Sequence, residues 1–223
     1  MRLIAFLLLA ACSLDAGPPG PHVDPAVRRQ RVEVVRDTAA RLGLHNAALL
    51  AGVAMAETGL AHCAAESPHA CPGPVSAACG GGAVIAGAAD GPCAAKQGGL
   101  GLFQFDAGTY EQTIARYGER ILTVDGSAEA AVEFFVEKAK LDIPAARDRA
   151  SALAWLDAIP MDAKAPQMVA WAQLMACRYN GCCTTSSTCT ARAAGYRDHA
   201  IAIYREYGPA FWAEPARQTD ARP

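Results

Sequence analysis

The sequence predicts a mostly α-helical domain that carries a long cysteine-rich insertion. The chain is rich in Ala and poor in β-branched runs, which favours helix. Apolar residues recur at helical spacing in several segments. Residues 59–98 differ, since they hold many Gly, Ala, Pro and Cys residues with little periodicity. A strand pattern is indicated only for a short piece near Leu100–Phe105, and residues 24–212 are long enough for one domain with its own core.

Capping residues and apolar faces mark the expected helices. Asp24-Pro25 opens the first helix, which Gly43 ends, and Asn46 caps a second helix that runs to Glu57. The second helix is apolar nearly all round, so it should be central in the domain. The later helices are expected near 107–117, capped by Asp106; 128–141, capped by Ser127; 145–158; from Pro166 onward; and 191–207, with Tyr196 on its apolar face.

Nine cysteines indicate an exported, disulfide-bonded protein. Residues 1–11 resemble a lipoprotein signal peptide, and Leu9-Ala10-Ala11-Cys12 resembles the bacterial lipobox, so Cys12 is the expected lipidation site. A plain secretory signal is the alternative. As a lipoprotein, the protein would be anchored to a membrane through its lipid and would face the periplasm or the cell surface of a bacterium, with residues 12–23 as a flexible tether and 213–223 as a flexible tail. A net charge of −2 gives no indication of nucleic acid as a partner.

The other eight cysteines predict four disulfides, which would order an insertion too poor in large apolar groups to pack alone. The sequence does not choose among the pairings. A zinc site built from the insertion is the alternative, although no Cys-x-x-Cys spacing supports it. The eight cysteines are Cys63, Cys71, Cys79, Cys93, Cys177, Cys182, Cys183 and Cys189, and the zinc alternative uses the first three with His69.

Three segments carry candidate chemistry. Glu57 ends the apolar second helix, where burial raises the pKa of a carboxyl and suits it to general acid catalysis. The glycines of 98–101 allow a backbone to approach a ligand closely, and Gln104 can donate to and accept from a sugar. The third segment is Arg178-Tyr179-Asn180-Gly181. Each segment alone has a simpler explanation, as a solvated helix end, a glycine turn and a helix stop. The histidines, including His62, are scattered and are expected to be solvated.

Taken in order, these segments resemble the soluble lytic transglycosylases and goose-type lysozymes. The catalytic Glu of that family, usually followed by Ser, matches Glu57, which Thr58 follows. The family's Gly-Leu-Met-Gln matches Gly101-Leu102-Phe103-Gln104, and its Ala-Tyr-Asn-Ala/Gly matches Arg178-Tyr179-Asn180-Gly181. The similarity covers about 46–58, 98–117 and 168–181. The middle helices and the insertion, which lengthens the spacing between the first two motifs, have no match.

The resemblance implies a lysozyme-like (goose-type/SLT) fold that cleaves the MurNAc-GlcNAc bond of peptidoglycan with 1,6-anhydro-MurNAc formation. Glu57 would be the acid and base. Tyr179 would hold the Glu57 carboxyl, and Asn180, Gln104 and the backbone of Gly101, Leu102 and Phe103 would line the sugar groove. No metal or organic cofactor is implied, and a monomer is expected. Because the family fold brings both cysteine-rich regions to one cleft, at least one bridge is expected to tie the insertion to the Cys177–Cys189 segment or pack it there.

Two alternatives stay open from the sequence. A goose-type lysozyme-like hydrolase would need a group that holds water, for which Asp106 is the candidate unless it serves as a helix cap; Asp90 is a weaker candidate. The second alternative is not an enzyme. It is a wall-binding lipoprotein that kept the fold and lost the chemistry, or a disulfide-rich structural lipoprotein whose motif matches arose by chance.

Overall fold

The computed structural model describes residues 23–68, 70–88, 93 and 98–213. The expected signal peptide, the lipidation site Cys12, the weaker candidate Asp90 and the His69 of the zinc alternative lie outside these residues, as do nearly all of the tether and the tail. Among the helices of the described residues, none combines the length and the hydropathy that a membrane span needs.

The described residues are mostly helical, which confirms the predicted class. Two strands form one antiparallel hairpin within the insertion. The helices are α1 (Pro25–Arg41), α2 (Ala48–Thr58), α3 (Tyr110–Tyr117), α4 (Val124–Asp142), α5 (Arg149–Asp157), α6 (Pro166–Arg178), α7 (Ser187–Tyr207) and α8 (Pro209–Trp212); the strands are β1 (Ala70–Val75) and β2 (Ala83–Ala88).

Two helix starts agree with the capping signals. The Asp24 carboxylate accepts a hydrogen bond from the Ala26 amide at 2.8 Å, and Pro25 is the first residue of α1. Pro166 opens α6. In both cases proline occupies a position whose amide would have no partner within the helix.

Three predicted caps are wrong because the polar side chains have other partners or positions. Asn46 does not cap α2; its amide donates to the carbonyls of Leu156 and Ile159, which ties the start of α2 to the end of α5. Thr123 caps α4, so Ser127 lies inside its first turn. Thr109, rather than Asp106, caps α3.

The insertion folds as a disulfide-bonded hairpin. Cys63–Cys79 and Cys71–Cys93 close within it, whereas Cys177–Cys183 and Cys182–Cys189 close between α6 and α7. The prediction of four disulfides is confirmed. Of the two arrangements expected for the insertion, a bridge that ties it to the Cys177–Cys189 segment is wrong. Each cysteine pairs with one no more than 22 residues away along the chain, so each bridge orders its own segment.

The core is centred on α2, as its apolar sequence predicts. Residues Ala48 to Ala54 of α2 are all buried, and α7 is its most extensive helical neighbour. The two helices cross at Gly52, where an added Cβ would come within 2.5 Å of the Ala200 Cα. This close approach requires glycine, and it brings the end of α2 that carries Glu57 against α7.

Candidate active site

Glu57 occupies the last turn of α2, which stops at a left-handed glycine. Gly59 has φ of 61° and donates its amide to the Met55 carbonyl, so the helix ends directly after Thr58. The Glu57 side chain is half-buried, while Thr58 is buried. The helix therefore delivers one partly desolvated carboxyl group at its end, as the sequence predicts.

Tyr196 of α7 holds the Glu57 carboxyl group. Its hydroxyl donates a hydrogen bond to Glu57 Oε1, and its ring is buried within the core. Burial, and then the negative charge of Glu57, raise the pKa of Tyr196 far above its usual value, so the hydroxyl remains a donor. The Asn180 side chain hydrogen-bonds to the same hydroxyl and opposes that shift. Asn180, Tyr196 and Glu57 thus form one connected polar group.

The sequence indicates only that Tyr196 lies on an apolar helix face. Nothing in its local spacing distinguishes it from a core residue. The role of Tyr196 follows from the tertiary structure. α2 and α7 cross at Gly52 and Ala200, and Tyr196 lies one turn before Ala200, so the crossing brings it to the end of α2. A tyrosine predicted to be buried on a helix also needs a partner for its hydroxyl, and a buried carboxyl group is a suitable one.

The Gly101–Phe103 segment forms a tight 3₁₀ turn beside Glu57. Gln104 follows it in the left-handed region with φ of 50°, which is unusual for a residue with a side chain. The side-chain nitrogen of Gln104, Nε2, donates to the Gly101 carbonyl at 2.8 Å. Gly101, Leu102 and Phe103 are buried, backbone included, whereas Gln104 is only half-buried, so Gln104 is the residue of this motif that can reach a ligand.

Hydroxyl groups from two helices hold the carbonyl groups of this turn. Thr58 Oγ1 lies 3.0 Å from the Leu102 carbonyl oxygen and 3.2 Å from that of Ala54, within hydrogen-bonding reach of both. The Tyr179 hydroxyl donates to the Phe103 carbonyl oxygen. The turn is therefore fixed to the end of α2 that carries Glu57 and to the end of α6.

The role expected for Tyr179 needs correction. Its single hydroxyl proton is used in the bond to Phe103, and Tyr196 takes the position of donor to Glu57. Burial, and then the charge of Glu57, still raise the pKa of Tyr179 well above its usual value, so the two side chains are close. The Tyr179 ring packs edge-on against Phe134 at 5.2 Å between centroids and lies 6.4 Å from Tyr196. Tyr179 thus positions the turn.

Asp106 lies at the outer end of the same loop. It is exposed, and its carboxylate accepts a hydrogen bond from the Gly108 amide at 2.6 Å. An added Cβ at Gly98 would overlap this carboxylate at 1.8 Å, so the glycine makes room for it. Asp106 is therefore part of a polar turn before α3.

His62 is a residue that sequence reasoning misjudged. It was expected to be solvated, yet its side chain is fully buried beneath the turn. The Leu102 amide donates to His62 Nδ1 at 3.2 Å, and His62 Nε2 lies 3.0 Å from the Leu122 carbonyl oxygen. Burial lowers the pKa of His62 below its usual value, so the ring is neutral at neutral pH.

The cysteines around the site are structural. The Cys177–Cys183 bridge closes a short loop that contains both Tyr179 and Asn180. Cys63, Cys71 and Cys79 are all in disulfides, which removes the thiolates that the zinc alternative requires. The described part of the chain contains no cluster of three or more His, Cys, Asp or Glu residues arranged for a metal ion.

The site thus combines a half-buried carboxyl group, a buried tyrosine that holds it, and a buried glycine turn that carries the half-buried Gln104 beside it. Such an arrangement can donate and accept a proton at one position while polar groups bind a ligand nearby. No protein-family model, curated protein or solved structure matches this chain.

Proposed function

We propose that this protein is a lysozyme-like lytic transglycosylase that cleaves the MurNAc-GlcNAc bond of peptidoglycan. The observation that carries the proposal is the hydrogen bond from Tyr196 to Glu57 beside a turn braced by Thr58 and Tyr179. The three motifs that are far apart in the sequence meet at this point. The proposal includes export, a lipid anchor at Cys12 and action as a monomer.

The first chemical step is protonation of the leaving group by Glu57. Tyr196 binds one carboxyl oxygen and so fixes the plane of the group, while the proton is transferred from the other oxygen. That proton goes to the oxygen that links the two sugars. The bond from the anomeric carbon to this oxygen breaks with an oxocarbenium-like transition state, which the acetamido oxygen of the substrate stabilises.

The second step closes the anhydro ring. Glu57, now ionised, accepts the proton of the C6 hydroxyl while the C6 oxygen bonds to the anomeric carbon. No water is consumed, and the carboxyl group returns to its protonated form. Gln104 and Asn180 would bind the acetamido and hydroxyl groups of the sugars, since these groups both donate and accept hydrogen bonds. The turn backbone would hold Gln104 in place through the Gly101 carbonyl.

Two other functions would use the same site differently. A hydrolase would add water at the anomeric carbon, with Asp106 as the candidate for holding it. A wall-binding protein would use the turn without the proton transfer. The polar group of Glu57, Tyr196 and Asn180 favours the enzyme, because a binding protein has no need to orient one partly desolvated carboxyl group.

The test is the release of soluble fragments from purified peptidoglycan by the wild-type protein and by a Glu57→Gln variant. Gln keeps the size of the side chain and its hydrogen-bonding capacity but cannot transfer a proton. We expect release by the wild-type protein alone, with both proteins co-sedimenting with the wall. Co-sedimentation without release by either protein would overturn the catalytic proposal in favour of the binding function.

A further inference from the structure

His62 joins the cysteine-rich insertion to the turn of the active site. Its ring lies between two backbone groups, the Leu102 amide at 3.2 Å from Nδ1 and the Leu122 carbonyl at 3.0 Å from Nε2. An added Cβ at Gly101 would come within 2.9 Å of the ring, so the turn and the ring are in close contact. The imidazole therefore lies against the turn at Gly101 and Leu102.

The backbone of His62 is held as firmly as its ring. Its amide donates to the Glu66 carboxylate at 2.9 Å, and its carbonyl accepts from the Ile85 amide at 2.9 Å. Glu66 also pairs with the buried Arg31 of α1 through two hydrogen bonds of 2.8 and 2.5 Å. The neighbouring Cys63 is bridged to Cys79. The ring therefore extends from a backbone that is held in place, and a shift of the insertion would move the ring and the turn that it contacts.

The contacts determine which nitrogen of His62 carries the proton. A backbone amide can only donate, so Nδ1 must accept and carries no proton. A carbonyl oxygen can only accept, so Nε2 carries the proton and donates to Leu122. Ser76, also from the insertion, donates to the same carbonyl at 2.7 Å. Two insertion residues thus converge on one backbone group.

We propose that neutral His62 is a positioning residue that fixes the Leu102 amide, and that its protonation loosens the turn and weakens substrate binding at acidic pH. As far as it concerns the substrate, this inference rests on the proposed function. A proton on Nδ1 would place two donors opposite each other where a donor and an acceptor now meet. Thr58 and Tyr179 would still hold the Leu102 and Phe103 carbonyl groups. The loss of order would therefore be centred on the Leu102 amide.

The charges around the ring determine where this change falls on the pH scale. Burial and the positive charge of Arg31 disfavour the protonated ring, while the Leu122 carbonyl and Glu66 favour it; burial has the largest effect. The pKa of His62 is therefore lowered from the ordinary histidine value of about 6.5. The turn should be intact at neutral pH and should loosen only when the pH falls below about 6.5.

Two substitutions separate the two hydrogen bonds of the ring. His62→Asn places an amide oxygen where Nδ1 accepts from Leu102, whereas His62→Gln places an amide nitrogen where Nε2 donates to Leu122. Neither side chain titrates in this range. Thermal unfolding establishes that each variant is folded, and imidazole ¹⁵N spectra of the wild-type protein identify the nitrogen that carries the proton, even if one variant fails to fold.

Hydrogen exchange at the Leu102 amide is the decisive readout, because it does not depend on activity. We expect protection in His62→Asn to stay near the wild-type value and protection in His62→Gln to fall by about tenfold or more, as for a lost buried hydrogen bond. Wild-type protection should fall as the ring is protonated, and that of His62→Asn should not. Full protection in His62→Gln, or a proton on Nδ1 at neutral pH, would overturn the proposal.

Glycan cleavage supplies a second readout. His62→Gln should raise KM with little change in kcat, because Glu57 and Tyr196 keep their positions, and His62→Asn should restore KM. A lower kcat with unchanged KM in His62→Gln would overturn the link between the turn and substrate binding. If the wild-type protein cleaves nothing, the proposed function fails, while the exchange and ¹⁵N results still decide whether His62 fixes the turn.

Discussion

Replacing Tyr196 by Phe removes the hydroxyl that holds the Glu57 carboxyl group and leaves the buried ring in place. The ring keeps its edge-on packing against Tyr179, with 6.4 Å between centroids. Asn180 loses its partner, but it is half-exposed and can bond to water. Because the proposed mechanism starts from protonated Glu57, the lost bond joins two neutral groups, and we expect the free energy of unfolding to fall by about 0.5–1.5 kcal/mol.

The catalytic effect should be larger than the effect on stability, because Glu57 becomes charged as it gives up its proton. A hydrogen bond to a charged group contributes about 1.5–3 kcal/mol, and each 1.4 kcal/mol corresponds to about a tenfold change in rate. Tyr196→Phe should thus lower kcat by about 10- to 150-fold. If the bond orients the carboxyl group mainly in the transition state, kcat and kcat/KM should fall together.

Release of soluble fragments from peptidoglycan, measured over a range of substrate concentrations, gives both constants. Tyr179→Phe is the matched control, since it also removes one hydroxyl but acts on the Phe103 carbonyl of the turn. We expect it to raise KM more than it lowers kcat. Wild-type kcat in Tyr196→Phe, or the same kinetic profile in both variants, would refute the distinct roles of the two tyrosines.

Three further predictions concern the framework around the site. From the length of each closed loop, removing the Cys177–Cys183 bridge should lower the free energy of unfolding by about 2 kcal/mol, and removing Cys71–Cys93 by about 3 kcal/mol. Only the loss of Cys177–Cys183 should reduce cleavage sharply. Denaturant unfolding and activity assays of the two double Ala variants would check both expectations. Gly52→Ala should destabilise the protein by about 1–3 kcal/mol and lower activity. Gly195→Ala changes a glycine of α7 that has open space around its Cβ position, and it should stabilise the protein by about 0.5–1 kcal/mol. Thermal unfolding in which both variants were stabilised, or both destabilised, would contradict the tight crossing. Because the folded-state pKa of His62 is lowered, the unfolded chain binds the extra proton first, so the free energy of unfolding should fall as pH drops below about 6.5 and level off below the folded-state pKa; His62→Asn should lack this component.

The sequence was most informative about the helices and about the residues of the motifs. The apolar run of α2 predicted a central helix that ends in Glu57, and Asp24 and Pro166 marked helix starts because their signals are local. The caps expected from Asn46 and Ser127 were wrong for a different reason. Polar side chains near a helix start compete for several partners, and the tertiary structure decides among them.

The partners within the site could not be predicted from the sequence. Whether Tyr179 or Tyr196 donates to Glu57 depends on how α2 crosses α7, which follows from the contact between Gly52 and Ala200. His62 was overlooked because an isolated histidine carries no periodic signal. Its burial results from the hairpin that closes over it.

The disulfide pairing shows the same limit. Cysteine number and cellular compartment predicted that bridges form, but pairing depends on which Cα atoms come within about 4–7 Å of each other. The hairpin brings the insertion cysteines together, and the turn between α6 and α7 does the same for the other four. The insertion is therefore connected to the site through His62, and each of its bridges remains within it.

In the proposed mechanism Glu57 acts as both acid and base, and no water molecule takes part. Mass spectrometry of peptidoglycan digested in H₂¹⁸O by the wild-type protein and by Glu57→Gln tests it most directly. We expect wild-type products that are lighter by one water, carry no ¹⁸O at the new end and are absent with the variant. Reducing ends labelled with ¹⁸O would contradict it and identify a hydrolase, and unchanged products from Glu57→Gln would remove Glu57 from the chemistry.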